Sequence, residues 1–138
     1  MPTHIHLLLK QNTDNGITKY VSKVFDSFTR YFNIKYHRKG PLWEGHFKNI
    51  AISTDEQLMH LTRYIHLNPV SAGLTDKPQN WQFSSYNEYI GNVSNKICDW
   101  QNILQLNIQD YKKFVNDRIM FQKELSKIKR LIIEDYTG

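Results

Sequence analysis

An alternating segment at the start of the chain restricts its possible folds more than any other feature. Over residues 3–10, polar and apolar side chains alternate and then run into leucines. In a strand, successive side chains point to opposite faces, so His4 and His6 share one face while Ile5 lies on the other. The pattern therefore predicts a β-strand with a buried apolar face and two imidazoles on the opposite face.

Three further segments complete the predicted architecture. Residues 45–52 also have the pattern of a strand, and large apolar residues recur at helical spacing over residues 17–36. Ser53 and Glu56 form a capping box, which predicts a second helix that begins there and ends at Pro69. Together these elements favour an α+β fold in which helices pack on an antiparallel sheet.

Length and composition point to one globular domain. The chain has 138 residues, 40% of them hydrophobic, and its sequence pattern changes near residue 92. We therefore expect a core over residues 1–91 and a helical tail over residues 92–138.

Cys98 is the only cysteine, which excludes an intrachain disulfide and a cysteine-rich zinc site and favours a reducing cytoplasm. No apolar run approaches the roughly 20 residues that span a bilayer, so no membrane association is expected.

Positive charge concentrates in the first half of the chain. The net charge is +5 overall and +4 over residues 1–69, which favours an anionic partner such as nucleic acid. In the segment KYHRKGPLWEGHFK, cations that suit phosphates alternate with aromatic rings that suit unpaired bases. The candidate DNA contacts are Lys35, Arg38, Lys39 and Lys48. The alternative is a solvated loop with Trp43 and Phe47 in the core, which we prefer for the two aromatic residues.

The second predicted helix carries a phenol and an amide one turn apart. Its apolar stripe, which we expect to be buried, consists of Leu58, Leu61 and Ile65. Tyr64 and Asn68 flank this stripe on one side, because residues four apart lie above one another on a helix, and His66 points elsewhere.

Packing this helix on the histidine face of the strand would create a site that could bind a metal and carry out a reaction. His4, His6 and Asn68 could then meet around one divalent cation, since neutral imidazole is a good metal ligand. A phosphate bound there would lie within reach of the Tyr64 phenol, which could attack it as a nucleophile. The alternative is a pair of partly exposed strand histidines, with Tyr64 at the edge of the core.

Three motifs, in order along residues 1–91, resemble one protein family. MPTHIHLLL resembles the Met-Pro-x-His-hydrophobic-His signature of the HUH single-tyrosine transposases. RYIHLNPVSAGL resembles the tyrosine helix of that family with the turn after it, and WQFSSYNEYIG resembles its Trp-x-x-Ser-Ser-Tyr segment. The most similar group is that of the REP-associated tyrosine transposases and their insertion-sequence relatives.

The resemblance implies a set of roles. His4 and His6 would be metal ligands, Asn68 the third ligand and Tyr64 the nucleophile, with Mg²⁺ or Mn²⁺ as cofactor. The partner would be single-stranded DNA or a DNA hairpin in a bacterial cytoplasm, cut and rejoined through a 5′-phosphotyrosine intermediate. Two other hypotheses remain: an inactive or domesticated relative that binds DNA hairpins without cutting, and a small metal-binding protein in which Tyr64 is structural.

The start of the chain departs from the family pattern. In the family, a strand, a helix and another strand precede the histidine strand, whereas this chain begins at that strand. We therefore expect a plan related to the ferredoxin-like fold that lacks its first strand, helix and strand, through truncation or because another chain supplies them. Since the edge of the strand at residues 3–10 is unpaired, a homodimer that covers it is expected.

Overall fold

A computed structural model of the chain describes residues 3–94, 97–101, 107–121 and 123–124. The regular elements in these ranges include α1 (Gly16–Lys35), α2 (Asp55–Ser71), a 3₁₀ turn (Pro78–Asn80), α3 (Tyr86–Tyr89) and α4 (Ile108–Asn116). Within the same ranges, no helix combines the length and apolar character that crossing a membrane requires. The amphipathic pattern of Leu125, Ile128, Leu131 and Ile132 lies outside them.

The expected antiparallel sheet does not form among the described residues. Neither residues 3–10 nor residues 45–52 form a strand, so the α+β prediction is wrong and the described fold is helical. Alternation predicts which faces a strand would have, but a sheet also needs partner strands for its backbone N–H and C=O groups. Ile5 and Leu7, expected to be buried, are 53% and 49% exposed. The homodimer was inferred from the unpaired edge of a strand at residues 3–10. Because these residues form no strand, that reason for a dimer no longer applies, and the dimer stays a prediction.

The N-cap of α2 lies one residue after the predicted Ser53, and the helix ends at Ser71, half a turn after the predicted Pro69. Thr54 is the N-cap: its hydroxyl accepts a hydrogen bond from the Gln57 N–H at 3.1 Å, and the Gln57 side chain accepts one from the Ser53 N–H at 2.9 Å. The predicted pair of Ser53 and Glu56 does not form the cap: Thr54 caps the helix, and the Gln57 side chain binds the N–H of the residue before the cap and not that of the cap itself. Pro69 lies inside the helix, which continues to Ser71.

A glycine, and not the proline, ends α2. Gly73 has a φ of +69°, the left-handed conformation in which a helix commonly terminates. The Leu74 N–H donates to the Pro69 carbonyl at 2.9 Å, and the Gly73 N–H donates to the Val70 carbonyl at 3.0 Å. These two bonds are a Schellman motif, which satisfies carbonyls that the end of the helix would otherwise leave unpaired.

The buried face of α2 is not the predicted stripe. Leu61 and Ile65 are only half-buried, whereas Thr62 and His66 are 2% and 1% exposed. His66, expected to point elsewhere, instead faces the main hydrophobic cluster, whose fully buried members are Leu67, Tyr86, Tyr89, Ile90, Trp100, Tyr111 and Val115. The aromatic side chains of α3 and α4 therefore decide which side of α2 is inside.

Both ring nitrogens of His66 form hydrogen bonds. Its Nδ1 lies 2.7 Å from the Tyr111 hydroxyl, and its Nε2 lies 2.9 Å from the Ser85 hydroxyl. Burial lowers the pKa of His66 to about 3, because a charged imidazolium would lose its hydration in this cluster. A polar side chain at the centre of the core is thus paired, neutral and structural.

The chain divides into two compact units. One consists of Met1–His6 with Ile52–Gly138, and the other of Leu7–Ala51. The first contains ten Lys/Arg and ten Asp/Glu, whereas the second contains eight Lys/Arg and three Asp/Glu. We call them the neutral unit and the basic unit. The separate division predicted near residue 92 stays a prediction.

The basic unit consists of α1 and the segments on either side of it. The expected helix over residues 17–36 is confirmed as α1 within one residue at each end. The Trp43 ring packs edge-on against Phe25, with centroids 4.5 Å apart, and its Nε1–H donates to the Thr29 hydroxyl at 3.0 Å. Trp43 is half-buried, as we expected for the core, whereas Phe47 is 49% exposed and is not a core residue.

Candidate active site

Tyr64 and Asn68 lie on the edge of α2 that faces away from the core. Tyr64 is 50% exposed, and Asn68 follows it by four residues, which places the phenol and the amide one helical turn apart. The buried His66 holds the opposite side of the helix against α3 and α4. The same packing that buries His66 therefore presents Tyr64 to solvent, where a macromolecular substrate could reach it.

The two N-terminal histidines lie beside this edge. The Asn68 amide nitrogen is 2.9 Å from the His6 Nε2, although 62 residues separate them in sequence. The His4 and His6 rings are 4.9 Å apart between centroids and nearly perpendicular. The structure thus brings together the three residues proposed as metal ligands, even though the segment that carries the histidines is not a strand.

The predicted nucleophile is next to one of the predicted ligands. The Tyr64 and His6 rings contact each other edge-on, with centroids 5.9 Å apart. Tyr64, Asn68, His4 and His6 all belong to the neutral unit. A phosphate bound at the histidines would therefore lie close to the phenol.

The donor set fits a divalent cation. Two ligands about 2.1 Å from one ion and at right angles to each other are about 3 Å apart, close to the separation of the His6 Nε2 and the Asn68 amide. Rotating that amide by 180° exchanges its nitrogen and oxygen, which would place the oxygen towards the ion. Among the described residues no group of three or more His, Cys, Asp and Glu side chains could hold a metal, so a metal site at His4 and His6 would use the Asn68 amide as its third protein ligand.

The protonation of His6 also suits metal binding. Burial, together with the neighbouring His4, lowers the pKa of His6, which favours the neutral imidazole that a metal requires. The Thr3 hydroxyl lies 3.1 Å from the His4 Nδ1. If that nitrogen donates to the hydroxyl, the lone pair of the His4 Nε2 is left for a cation. Thr3 was not predicted, and its position directly before His4 was the available signal.

His60 lies one turn before Tyr64 on α2, and its Nδ1 is engaged by Arg63. The Arg63 guanidinium donates to the His60 Nδ1 at 2.8 Å, and the His60 Nε2 lies 3.8 Å from the Glu56 carboxylate. Arg63 in turn stacks 4.0 Å from the centre of the Phe114 ring on α4. Because an arginine only donates, the His60 Nδ1 is an acceptor already in use, and His60 is not placed as a base for Tyr64.

The candidate DNA contacts belong to the basic unit and differ in what they touch. Arg38 donates to the Asn33 side chain at 3.1 Å and to the Pro41 carbonyl at 3.2 Å, so it holds together the loop after α1. Lys35 donates to the Tyr31 hydroxyl at 3.2 Å. Lys39 and Lys48 are exposed. Arg38 therefore has a structural role beside any contact with DNA.

Comparisons with known proteins give one informative similarity. A Haemophilus influenzae protein named as a REP-associated tyrosine transposase is 29% identical to this chain over an alignment of 97 residues. The alignment covers 62% of this chain and 54% of that protein, so the chain spans about half the length of the curated relative it matches. No family model matches the chain, and no solved structure does. The similarity supports a relationship of this chain to the tyrosine transposases.

Proposed function

We propose that this chain is a metal-dependent nuclease and strand transferase that acts on single-stranded DNA through a tyrosine nucleophile. The observation that carries the proposal is the meeting of His4, His6, Tyr64 and Asn68 at the exposed edge of α2. The similarity to a protein named as a tyrosine transposase supports the same chemistry.

In the proposed reaction, Tyr64 exchanges one phosphate ester for another. Its phenol oxygen attacks a backbone phosphorus atom, and the bond from phosphorus to the 3′ oxygen breaks. The phenol loses a proton and the departing oxygen gains one, which leaves a 5′-phosphotyrosine and a free 3′ hydroxyl. Attack by the 3′ hydroxyl of another strand reverses these steps and rejoins DNA. No external energy source is needed, because the number of phosphate ester bonds stays the same.

Three ligands that are all neutral suit this chemistry. A Mg²⁺ or Mn²⁺ ion held by His4, His6 and Asn68 would supply positive charge to the phosphate under attack. Since neither the imidazoles nor the amide is charged, the site does not offset the charge of the ion. Imidazole nitrogens favour Mn²⁺ over Mg²⁺, which prefers oxygen ligands.

The basic unit supports a polyanionic substrate. The whole net charge of +5 lies in Leu7–Ala51, where it would attract DNA from a distance. Lys35, Arg38, Lys39 and Lys48 are the proposed phosphate contacts within it. Neutralised phosphates release counterions, so binding should weaken steeply as salt rises.

Replacing Tyr64 by phenylalanine tests the nucleophile. Tyr64→Phe removes only the phenol oxygen, so we expect no covalent adduct with single-stranded DNA and nearly unchanged binding. A labelled oligonucleotide incubated with Mn²⁺ and run on a denaturing gel detects the adduct. Tyr20→Phe, in the basic unit, is the matched control and should react like the unmodified protein. An adduct with the Tyr64→Phe protein would contradict the proposed nucleophile.

Titration with Mn²⁺ by calorimetry tests the ligands independently of cleavage. His4→Ala and His6→Ala should abolish measurable binding, because each removes one of two imidazoles. Asn68→Ala should weaken binding less, since water can replace a neutral amide oxygen. Equal affinity in all three variants would exclude this site.

DNA binding without cleavage is the second candidate function. It is favoured by the location of the charge, because the basic unit carries the net charge and contains none of Tyr64, His4 and His6. If the unmodified protein binds single-stranded DNA or a hairpin but forms no adduct with Mn²⁺, this function replaces the first.

A further inference from the structure

α1 presents an exposed row of large side chains on one face. Tyr20, Val24, Phe28 and Tyr31 are 51%, 42%, 45% and 56% exposed. Their spacing of three and four residues places them on one stripe that runs roughly 16 Å along the helix axis. Three of the four carry aromatic rings.

This stripe is distinct from the side of α1 that packs inside the basic unit. Trp43 covers Phe25 and bonds to Thr29, and Val21 is buried. Phe28 lies between the two sides, with its ring centroid 6.0 Å from that of Trp43. The unit therefore has an inner side, and the exposed row faces outward.

Lysines lie beside the rings of the exposed row. Lys23 lines a shallow groove with Val24, Ser27, Phe28 and Tyr31. The Lys35 ammonium lies 5.5 Å from the centre of the Tyr31 ring and at the same distance from that of Tyr36. Cation and ring thus alternate along one face of a helix in a unit whose net charge is +5.

We infer that this face of α1 binds single-stranded nucleic acid, with bases stacked on Tyr20, Phe28 and Tyr31 and phosphates paired with Lys23 and Lys35. Aromatic rings stack on any base, and interleaved cations follow the backbone. A duplex keeps its bases paired and stacked inside, so this face should prefer single strands. The inference rests on the proposed function only in taking DNA as the nucleic acid.

Charge disfavours the other possible occupants. A second copy seated on this face would bring two units of net charge +5 together. A helix lying in a lipid surface keeps its lysines on the polar side and its apolar side in the acyl region. Here the Lys35 ammonium lies over the Tyr31 ring of the row, so inserting the row would also desolvate that ammonium group.

The test separates ring stacking from apolar bulk. Tyr20→Leu/Tyr31→Leu keeps the bulk and removes both rings, whereas Tyr20→Phe/Tyr31→Phe keeps the rings. Fluorescence anisotropy with a labelled oligothymidylate should give about tenfold weaker binding, or more, for the leucine pair. The phenylalanine pair keeps both rings and should bind much more tightly than the leucine pair, although Tyr31→Phe also removes the hydroxyl that accepts from Lys35. Phe83→Leu, an exposed aromatic residue in the neutral unit, is the matched control and should have no effect.

A second measurement uses the unmodified protein, so it does not depend on the folding of a variant. Oligothymidylate should protect Tyr20 and Tyr31 from nitration by tetranitromethane, whereas an equal length of duplex should not. Equal affinity of the leucine and phenylalanine pairs, or unprotected tyrosines, would overturn the inference. So would binding to vesicles of anionic lipid in place of DNA, or self-association by light scattering that the leucine pair abolishes.

The two proposals can fail separately. Ring-dependent affinity without a Tyr64 adduct would keep this inference and reject the proposed cleavage. An adduct at Tyr64 with ring-independent affinity would do the reverse.

Discussion

The neutral unit and the basic unit use their apolar residues in opposite ways. In the neutral unit, the aromatic side chains of α3 and α4 close around His66 and Leu67 of α2. In the basic unit, every residue of which is described, Val21 alone is buried, and large residues such as Tyr31 and Ile34 are mostly exposed. The difference shows that hydrophobic content alone does not indicate a core: one unit buries its apolar surface and the other leaves it exposed.

Truncating one apolar residue in each unit gives the largest expected contrast. Leu67→Ala should lower the free energy of unfolding by about 2–5 kcal/mol, because Leu67 is fully buried and its loss leaves a cavity. Ile34→Ala should change it by less than about 0.5 kcal/mol, because Ile34 is 78% exposed. Urea denaturation followed by circular dichroism measures both. A large loss for Ile34→Ala would mean that the basic unit has a core of its own.

Acid should weaken the neutral unit through His66. In the folded protein the pKa of His66 is about 3, against an ordinary value of 6.5, so below pH 6.5 the unfolded chain binds a proton that the folded chain does not. The contribution of His66 is fully present above pH 6.5 and is lost as pH falls towards 3. Each pH unit in this window costs about 1.4 kcal/mol, or about 2 kcal/mol by pH 5.

His66→Gln isolates this effect. Glutamine keeps an amide that can pair with Tyr111 or Ser85 but does not titrate in this range. Its free energy of unfolding, from urea curves at pH 7 and pH 5, should therefore depend less on pH than that of the unmodified protein. The same pH dependence in both proteins would show that the contribution comes from other groups.

Removing single lysines should give the smallest effect and should still distinguish the units. Lys39→Gln should weaken binding to single-stranded DNA about threefold and reduce the slope of log affinity against log salt by about 0.7, the value for one phosphate contact. Lys112→Gln, an exposed position on α4 of the neutral unit, should change neither quantity. Anisotropy titrations at several salt concentrations measure both. Equal losses would place the DNA on both units.

Local patterns in the sequence were sufficient for several features. The spacing of apolar residues predicts α1, and the polar residues from Ser53 onward predict the start of α2 to within one or two residues, because both depend on neighbours within one helical turn. The one-turn spacing of Tyr64 and Asn68 follows from the sequence for the same reason. The candidate site residues could therefore be named before their contacts were known, with Thr3 as the exception.

Contacts between distant segments decided the rest. The aromatic residues of α3 and α4 bury His66 in place of the Leu61 and Ile65 stripe. The strand prediction for residues 3–10 was wrong because a sheet requires a partner that alternation cannot supply.

The sequence by itself determined which side chains could carry chemistry, since the identity and helical spacing of Tyr64 and Asn68 are local properties. Only the tertiary structure decided that Asn68 meets His6, from which 62 residues separate it, and that Tyr64 stays exposed. The physical reason is that the face of α2 opposite the core is defined by what packs on the core side. That packing depends on Tyr86, Tyr89 and Tyr111, which the sequence of α2 does not contain.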